Sequence, residues 1–126
     1  MEKKYADHLT EEEKRVIVDG GTELPFSGKY NDFYLNGFYA CKSCGFKLFE
    51  SVSKFKSDCG WPSFDDAIEG RVIKKRDTSL GRVRTEVLCS HCGGHLGHVF
   101  KGEGYTDKNT RYCVNSISLK FIEDKL

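Results

Sequence analysis

The sequence predicts a mainly β domain of antiparallel sheets, and three observations favour this class. The 126 residues include 9 Phe, 6 Tyr and 13 Gly but only 2 Pro, a balance typical of strands joined by tight turns. Several short segments alternate apolar and polar residues, as half-buried strands do. Long helices do not alternate with these segments, so a parallel α/β sheet is disfavoured.

The N-terminal segment, residues 1–21, is predicted to be helical. Thr10 and Glu13 have the spacing of a capping box, in which each residue's side chain accepts the other's backbone N–H. Asp19-Gly20-Gly21 is expected to end the helix, because glycine readily adopts the left-handed conformation found after helix C-termini.

Residues 22–122 are expected to form the core of a single domain that spans residues 1–126. The core begins with an irregular arm over residues 22–36. Residues 65–68 are interpreted as one helical turn and residues 101–109 as an exposed polar loop. Strands are predicted over residues 37–40, 47–50, 71–76, 81–88, 94–100 and 116–122.

Charge and hydropathy disfavour several classes of protein. The net charge is +1 and the one basic run, Lys74-Lys75-Arg76, is short, so nucleic-acid binding is not expected. There is no apolar run of membrane-spanning length and no secretory signal over residues 1–10. We therefore expect a cytoplasmic protein, in which closely spaced cysteines act as metal ligands or redox thiols.

Four of the six cysteines form two Cys-x-x-Cys pairs, Cys41 with Cys44 and Cys89 with Cys92. A tight turn lets both sulfurs of a pair bind one ion, and two pairs complete a tetrahedral zinc site. Forty-four residues lie between Cys44 and Cys89, which exceeds the usual zinc-ribbon spacing. Four thiolates leave no open coordination position, so the zinc is predicted to be structural. Redox disulfides and buried small side chains are the alternatives.

The two remaining cysteines, Cys59 and Cys113, are candidates for other chemistry. If residues 111–115 form a strand, Arg111, Cys113 and Asn115 lie on one face. A nearby guanidinium lowers a thiol pKa, which favours Cys113 as a nucleophile over a buried small hydrophobe.

Three further side chains accompany these thiols. Trp61, the only tryptophan, follows Cys59 closely and either packs in the core or holds a small apolar group. His95 and His98 are candidate proton donors if a bend or bulge at Gly97 brings them together. Structural histidines or groups behind the zinc ligands are the alternatives.

With these motifs the chain resembles the B-type methionine sulfoxide reductases, which act on methionine-R-sulfoxide. The resemblance runs from about residue 22 to residue 121 and includes both cysteine pairs. Its other motifs are Thr22-Glu23-Leu24-Pro25-Phe26-Ser27-Gly28, Cys59-Gly60-Trp61-Pro62-Ser63-Phe64, Arg84-Thr85-Glu86-Val87, His95-Leu96-Gly97-His98-Val99-Phe100 and Arg111-Tyr112-Cys113-Val114-Asn115-Ser116.

The resemblance implies a barrel-like β domain with one or two small N-terminal helices, and a role in protein repair under oxidative stress. Cys113 would be the nucleophile and Cys59 the resolving cysteine. A Cys113 sulfenic acid would become a Cys59–Cys113 disulfide, which a thioredoxin-type donor reduces. Trp61 would receive the substrate methyl group, and the pocket would also contain His95, His98, Arg111 and Asn115. The enzyme would be a monomer with structural zinc and no organic cofactor.

Two segments depart from the family pattern. Lys101-Gly102-Glu103-Gly104 stands where many members have an Asp-Gly-Pro sequence, and Lys56-Ser57-Asp58 stands where Asp-Ser-Gly is common. Two other functions compete with reduction: a zinc-ribbon-like binding module, and a family member that serves as a scaffold or zinc-delivery protein. A binding module would leave Cys59 and Cys113 without a role, and a degenerate member would be expected to lack one of them or Trp61.

Overall fold

The computed structural model describes residues 1–124, which begin with two short helices, α1 (Lys3–Ala6) and α2 (Glu11–Ile17). The predicted capping box is confirmed. The Glu13 N–H donates to Thr10 Oγ1 (3.1 Å) and the Thr10 N–H donates to Glu13 Oε1 (2.8 Å). Gly20, with φ of 76°, follows the helix as predicted. No helix among the described residues is long and apolar enough to cross a membrane.

The rest of the described chain is mainly β, as predicted. The strands are β1 (Gly37–Cys41), β2 (Lys47–Glu50), β3 (Lys54–Phe55), β4 (Ser63–Phe64), β5 (Val72–Asp77), β6 (Arg84–Cys89), β7 (His95–Lys101), β8 (Thr110–Val114) and β9 (Leu119–Glu123). One sheet has the order β2-β1-β9 and the other the order β3-β4-β8-β7-β6-β5, and the pairings are antiparallel. Within residues 1–124 the two sheets do not close into one barrel.

The structure corrects two of the predicted elements. The strand expected from residue 116 begins only at Leu119, because Ser116–Ser118 form a 3₁₀ turn. The Ser118 hydroxyl donates to the His95 carbonyl, so this serine bonds to the core instead of facing water. The helical turn expected at residues 65–68 is also wrong: the Asp65 N–H donates to Ser53 O and the Ile68 N–H donates to Leu48 O.

Other differences are smaller. Strands β3 and β4 have two residues each and were not predicted, since so short a segment shows no periodicity. The strand expected over residues 81–88 begins later, at Arg84, after a 3₁₀ turn over Ser79–Gly81. The loop expected after residue 101 is present, because β7 ends at Lys101 and β8 begins at Thr110.

Aromatic side chains join the two sheets. Phe64 of β4 stacks on Phe49 of β2 with ring centroids 4.4 Å apart and meets the edge of Tyr39 of β1 at 5.1 Å. All three are fully buried. Burying each one stabilises the fold by about 1.5–3 kcal/mol. These contacts hold β4 in place, and β4 directly follows the segment that contains Cys59 and Trp61.

Candidate active site and metal centre

The two Cys-x-x-Cys pairs meet in space, as predicted. The Sγ atoms of Cys41 and Cys92 are 3.6 Å apart, as are those of Cys44 and Cys89, and all four lie within 4.8 Å of one another. A tetrahedral ion with bonds of about 2.3 Å to sulfur requires sulfur–sulfur distances of about 3.8 Å. The four sulfurs therefore fit one metal ion.

The four-cysteine cluster lies where the two sheets meet. Cys41 ends β1 of the three-stranded sheet, and Cys89 ends β6 of the six-stranded sheet. Gly45 and Gly93 follow the second cysteine of each pair with φ of 82° and 80°, a conformation that glycine adopts without strain. A metal ion bound here would link the two sheets.

The predicted face of β8 opens into a cavity of about 210 Å³. Arg111, Cys113 and Asn115 all line it, as their alternation indicates. His98 of β7 is the cross-strand partner of Cys113 and lines the same cavity. The other lining residues are Thr22, Cys59, Trp61, Arg82, Arg84, Gly97 and Phe100.

Cys59 and Cys113 are separated by 54 positions in sequence, yet their Sγ atoms are only 4.0 Å apart. A disulfide requires about 2.05 Å between the sulfurs, so a small movement closes the gap. Cys113 belongs to a central strand of the sheet, whereas Cys59 lies in a loop between β3 and β4. Asp58 and Gly60, on either side of Cys59, both have positive φ, at 60° and 98°.

The two thiols differ in how readily they ionise. The hydrogen bond with Cys113 lowers the pKa of Cys59 to about 4, with further donation from Ser57 and Ser63, although burial acts the other way. The same bond, together with burial, raises the pKa of Cys113, which Arg111 opposes. The pair thus loses one proton easily and the second with difficulty.

Arg111 is held on one side by the loop that follows β7. Its Nε and Nη2 donate to the two carboxylate oxygens of Glu103, at 2.7 and 3.1 Å. Its guanidinium lies 4.7 Å from the centre of the Phe100 ring. Glu103 belongs to the segment that departs from the family pattern, and its carboxylate binds the Arg111 guanidinium.

The two histidines come close together through a bulge in β7. Val87 pairs with Gly97 and Leu88 with His95, so Leu96 is the extra residue, next to the predicted Gly97. The two imidazole centroids are 5.7 Å apart. Gly97 has no room for a side chain, because a Cβ would overlap the Cys113 carbonyl.

Carboxylates orient both imidazoles. His98 Nε2–H donates to Asp77 Oδ2 at 2.8 Å, and this bond holds the pKa of Asp77 below its usual range. His95 Nδ1–H donates to Glu86 Oε2 at 2.7 Å. Burial lowers the pKa of His95, and Glu86 opposes this. His98 lines the cavity, whereas His95 is only 4% exposed and lies behind it.

Trp61 and Asn115 are fixed by hydrogen bonds to one residue of the arm. The indole N–H of Trp61 donates to the Glu23 carbonyl at 3.0 Å. Asn115 Oδ1 accepts from the Glu23 N–H at 3.0 Å, and its Nδ2 donates to the Leu96 carbonyl. The carboxamide of Asn115 therefore joins three segments of the chain at the base of the cavity.

Sequence reasoning found the thiols and missed the carboxylates that support the other side chains. Asp77, which accepts from His98, was not among the candidate residues. Arg84 and Glu86 lie two apart on β6, so their side chains share one face, and this spacing could have indicated that they belong to the site.

A second cavity of about 530 Å³ lies between α2 and residues 22–30, but no cysteine or histidine lines it.

The family model described as the SelR domain matches residues 9–123. The chain belongs to the B-type methionine sulfoxide reductases. One curated relative of this reductase is the peptide methionine sulfoxide reductase MsrB of Teredinibacter turnerae, which is 52% identical over 96% of this chain and 90% of its own length. Another is the peptide methionine sulfoxide reductase B5 of Oryza sativa, at 50% identity over 90% of this chain and 82% of its own length.

A solved structure extends the likeness at the level of fold. The Mis18 "Yippee-like" domain superposes with a TM-score of 0.58 over 72% of this reductase and 99% of its own chain, at 20% identity. At this identity the likeness concerns the arrangement of the strands and says nothing of the chemistry.

Proposed function

We propose that this enzyme reduces methionine-R-sulfoxide in peptides or proteins, with Cys113 as the nucleophile and Cys59 as the resolving cysteine. The observation that carries the proposal is the 4.0 Å contact between their sulfurs at a cavity lined by Trp61, His98 and Arg111. Two adjacent thiols can accept one oxygen and release it as water, so the pair supplies the two electrons that sulfoxide reduction needs.

In the first step the Cys113 thiolate attacks the sulfoxide sulfur. A proton reaches the sulfoxide oxygen, and this oxygen moves as hydroxyl to Cys113 Sγ. Its bond to the substrate sulfur and the new bond between the two sulfurs both break, so methionine leaves and Cys113 becomes a sulfenic acid. His98 is the proposed proton donor, because it lines the cavity and is the cross-strand partner of Cys113. His95, held by Glu86 behind it, supports its position.

In the second step Cys59 attacks the sulfenic sulfur, and the Cys59–Cys113 disulfide forms with release of water. A thioredoxin-type dithiol then reduces the disulfide by exchange, becomes a disulfide itself and restores both thiols. Position in the fold supports this division, because Cys59 lies in the loop between β3 and β4 whereas Cys113 lies in β8, inside the sheet. We also propose that the enzyme acts as a monomer in a reducing compartment such as the cytoplasm.

Substrate binding would decide which sulfur carries the charge. While the sulfurs are in contact, Cys59 holds the thiolate more readily than Cys113. A substrate sulfoxide placed over Cys113 weakens that contact, and Arg111 then favours the Cys113 thiolate. The nucleophile is thereby most reactive when substrate occupies the cavity.

Trp61 gives the proposed pocket its handedness. A sulfoxide sulfur bears a polar oxygen, a methyl group, a longer alkyl chain and a lone pair. The indole face would contact the methyl group, and hydrogen-bond donors on the opposite side would bind the oxygen. Only one mirror form of the sulfoxide fits this arrangement. The R form is the one expected for this family.

We further propose that Cys41, Cys44, Cys89 and Cys92 hold Zn²⁺. Four thiolates complete its coordination, so the ion supplies structural stability and takes no part in the reaction. Residues 1–126 then act as one domain, in which residues 1–21 are an N-terminal helical segment and residues 22–122 are the catalytic core.

A stereochemical assay tests the proposed function. The protein is incubated with dithiothreitol and either the R or the S form of a methionine sulfoxide peptide, and the methionine product is quantified by chromatography. We expect reduction of the R form alone. Reduction of neither form would favour a zinc-containing binding module, and reduction of the S form would contradict the proposed pocket.

A further inference from the structure

Glu23 connects two walls of the active-site cavity through its backbone. Its N–H donates to Asn115 Oδ1 and its carbonyl accepts from the indole N–H of Trp61, both at 3.0 Å. Asn115 follows β8, whereas Trp61 belongs to the loop before β4. A shift of the chain at residue 23 would therefore move both side chains.

The carboxylate of Glu23 fixes that part of the chain. Its Oε1 accepts a hydrogen bond of 2.9 Å from the N–H of Ile117. Ile117 lies in the Ser116–Ser118 3₁₀ turn directly after Asn115, and an N–H early in such a turn has no partner within the turn. The carboxylate thus ties the arm to the same turn that positions Asn115.

The carboxylate of Glu23 is buried and packs closely against Gly28 and Ser116. Glu23 is 7% exposed, and its Oε2 has no hydrogen-bond partner among residues 1–124. Gly28 packs so closely on Oε2 and the Ser116 hydroxyl that a Cβ at that position would overlap both. The Ser116 hydroxyl in turn accepts from the Tyr30 N–H.

A buried carboxylate is costly unless its hydrogen bonds repay the lost hydration. No ion pair joins Glu23 to a lysine or arginine in the described part of the chain. An apolar side chain could fill this space at lower cost, but it could not accept the Ile117 N–H. The carboxylate therefore supplies the acceptor for the bond to the turn.

We propose that Glu23 is a positioning residue that holds Trp61 and Asn115 in the orientation that binds substrate. The inference rests on the proposed function, because it takes Trp61 as the wall that receives the substrate methyl. Glu23 acts through these two residues and does not line the cavity with them.

The test compares Glu23→Ala, Glu23→Gln and, as a matched control, Glu69→Ala, which removes an exposed carboxylate away from the cavity. Trp61 is the only tryptophan, so its fluorescence and its indole N–H signal in NMR report directly on the bond to Glu23. KM and kcat for the R and S sulfoxides and the melting temperature are measured on the same samples.

We expect Glu23→Ala to shift both Trp61 signals and to raise KM for the R form about tenfold, since small displacements of positioning groups cost this much or more. Glu23→Gln keeps an oxygen that accepts the Ile117 N–H, so it should remain close to the unmodified enzyme in both readouts. Glu69→Ala should change neither.

Unchanged Trp61 signals and unchanged KM in Glu23→Ala would overturn the inference. A lower melting temperature with unchanged KM would also overturn it, because Glu23 would then serve stability alone. If the unmodified enzyme reduces neither sulfoxide, the proposed function fails, yet the Trp61 signals still reveal whether Glu23 holds the indole.

Discussion

The six cysteines form two regions that use the same side chain in opposite ways. The four-cysteine cluster holds sulfurs 3.6 Å apart and joins the two sheets, with Cys41 and Cys89 at 1% and 0% exposure. The Cys59–Cys113 pair holds sulfurs 4.0 Å apart at an open cavity. The number of sulfurs and their access to a cavity, and not the residue type, distinguish the proposed metal site from the proposed reactive pair.

Loss of the metal should have the largest effect. Structural zinc contributes on the order of 10 kcal/mol to small domains, which is comparable to the whole stability of a protein of this size. We expect a chelator, or Cys89→Ser, to abolish the cooperative thermal unfolding seen by circular dichroism, and elemental analysis to find one metal per untreated chain.

Cys59→Ser is the matched control, because it removes a cysteine outside the cluster. It should keep both the metal and the melting temperature. A stripped protein that melts as before would show that the cluster does not hold the sheets together.

Removal of either proposed catalytic thiol, Cys113 or Cys59, should have a large effect on catalysis but not on folding. Cys113→Ser should lower the single-turnover rate by about 10³-fold or more, since the nucleophile itself is lost. Cys59→Ser should still release one methionine per enzyme in a rapid-mixing experiment, yet lose thioredoxin-dependent cycling.

The two variants control for each other, because each replaces one sulfur by oxygen at the same cavity. Normal turnover by Cys113→Ser would remove it as the nucleophile. Unchanged cycling by Cys59→Ser would indicate that another thiol resolves the intermediate.

A smaller effect is expected in the pH dependence of alkylation. Contact with Cys113 is the main cause that lowers the pKa of Cys59 to about 4, and contact with Cys59 is the main cause that raises the pKa of Cys113. In Cys113→Ala the pKa of Cys59 should therefore rise, and its reaction with iodoacetamide at about pH 6 should slow. In Cys59→Ala the pKa of Cys113 should fall, and its reaction should quicken.

Mass spectrometry after timed alkylation identifies which thiol has reacted in each variant. Because the two shifts have opposite signs, a general change in the exposure of the cavity cannot mimic them. Alkylation rates that change in the same direction in both variants would argue against a proton shared between the two sulfurs.

The sequence predicted elements and faces whose cause is local. The Thr10–Glu13 capping box formed as expected, because neighbouring residues determine it. The alternation over residues 111–115 placed Arg111, Cys113 and Asn115 on one face, as the geometry of a strand requires. The proposed roles of these residues follow from the family resemblance and stay predictions.

Alternation failed where side chains found partners elsewhere. Residues 116–118 continue the alternation of apolar and polar residues seen in the following strand. The Ser118 hydroxyl nevertheless donates to the His95 carbonyl, and the chain forms a 3₁₀ turn. The supporting carboxylates of Asp77 and Glu86 were missed for a related reason. Their partners, His98 and His95, belong to a strand that only sheet pairing brings alongside.

The sequence by itself determined that each of two cysteine pairs can bind an ion and that two cysteines remain, because Cys-x-x-Cys spacing is a local property of a turn. The meeting of the two pairs is a tertiary contact. Only the tertiary structure brought Cys59 within 4.0 Å of Cys113 and placed Glu23 between Trp61 and Asn115. Those contacts join residues far apart in the chain, and they depend on how the aromatic core positions β4 against β8. The contact between Cys59 and Cys113 is thus a product of packing, whereas the four candidate metal ligands can be identified from the sequence.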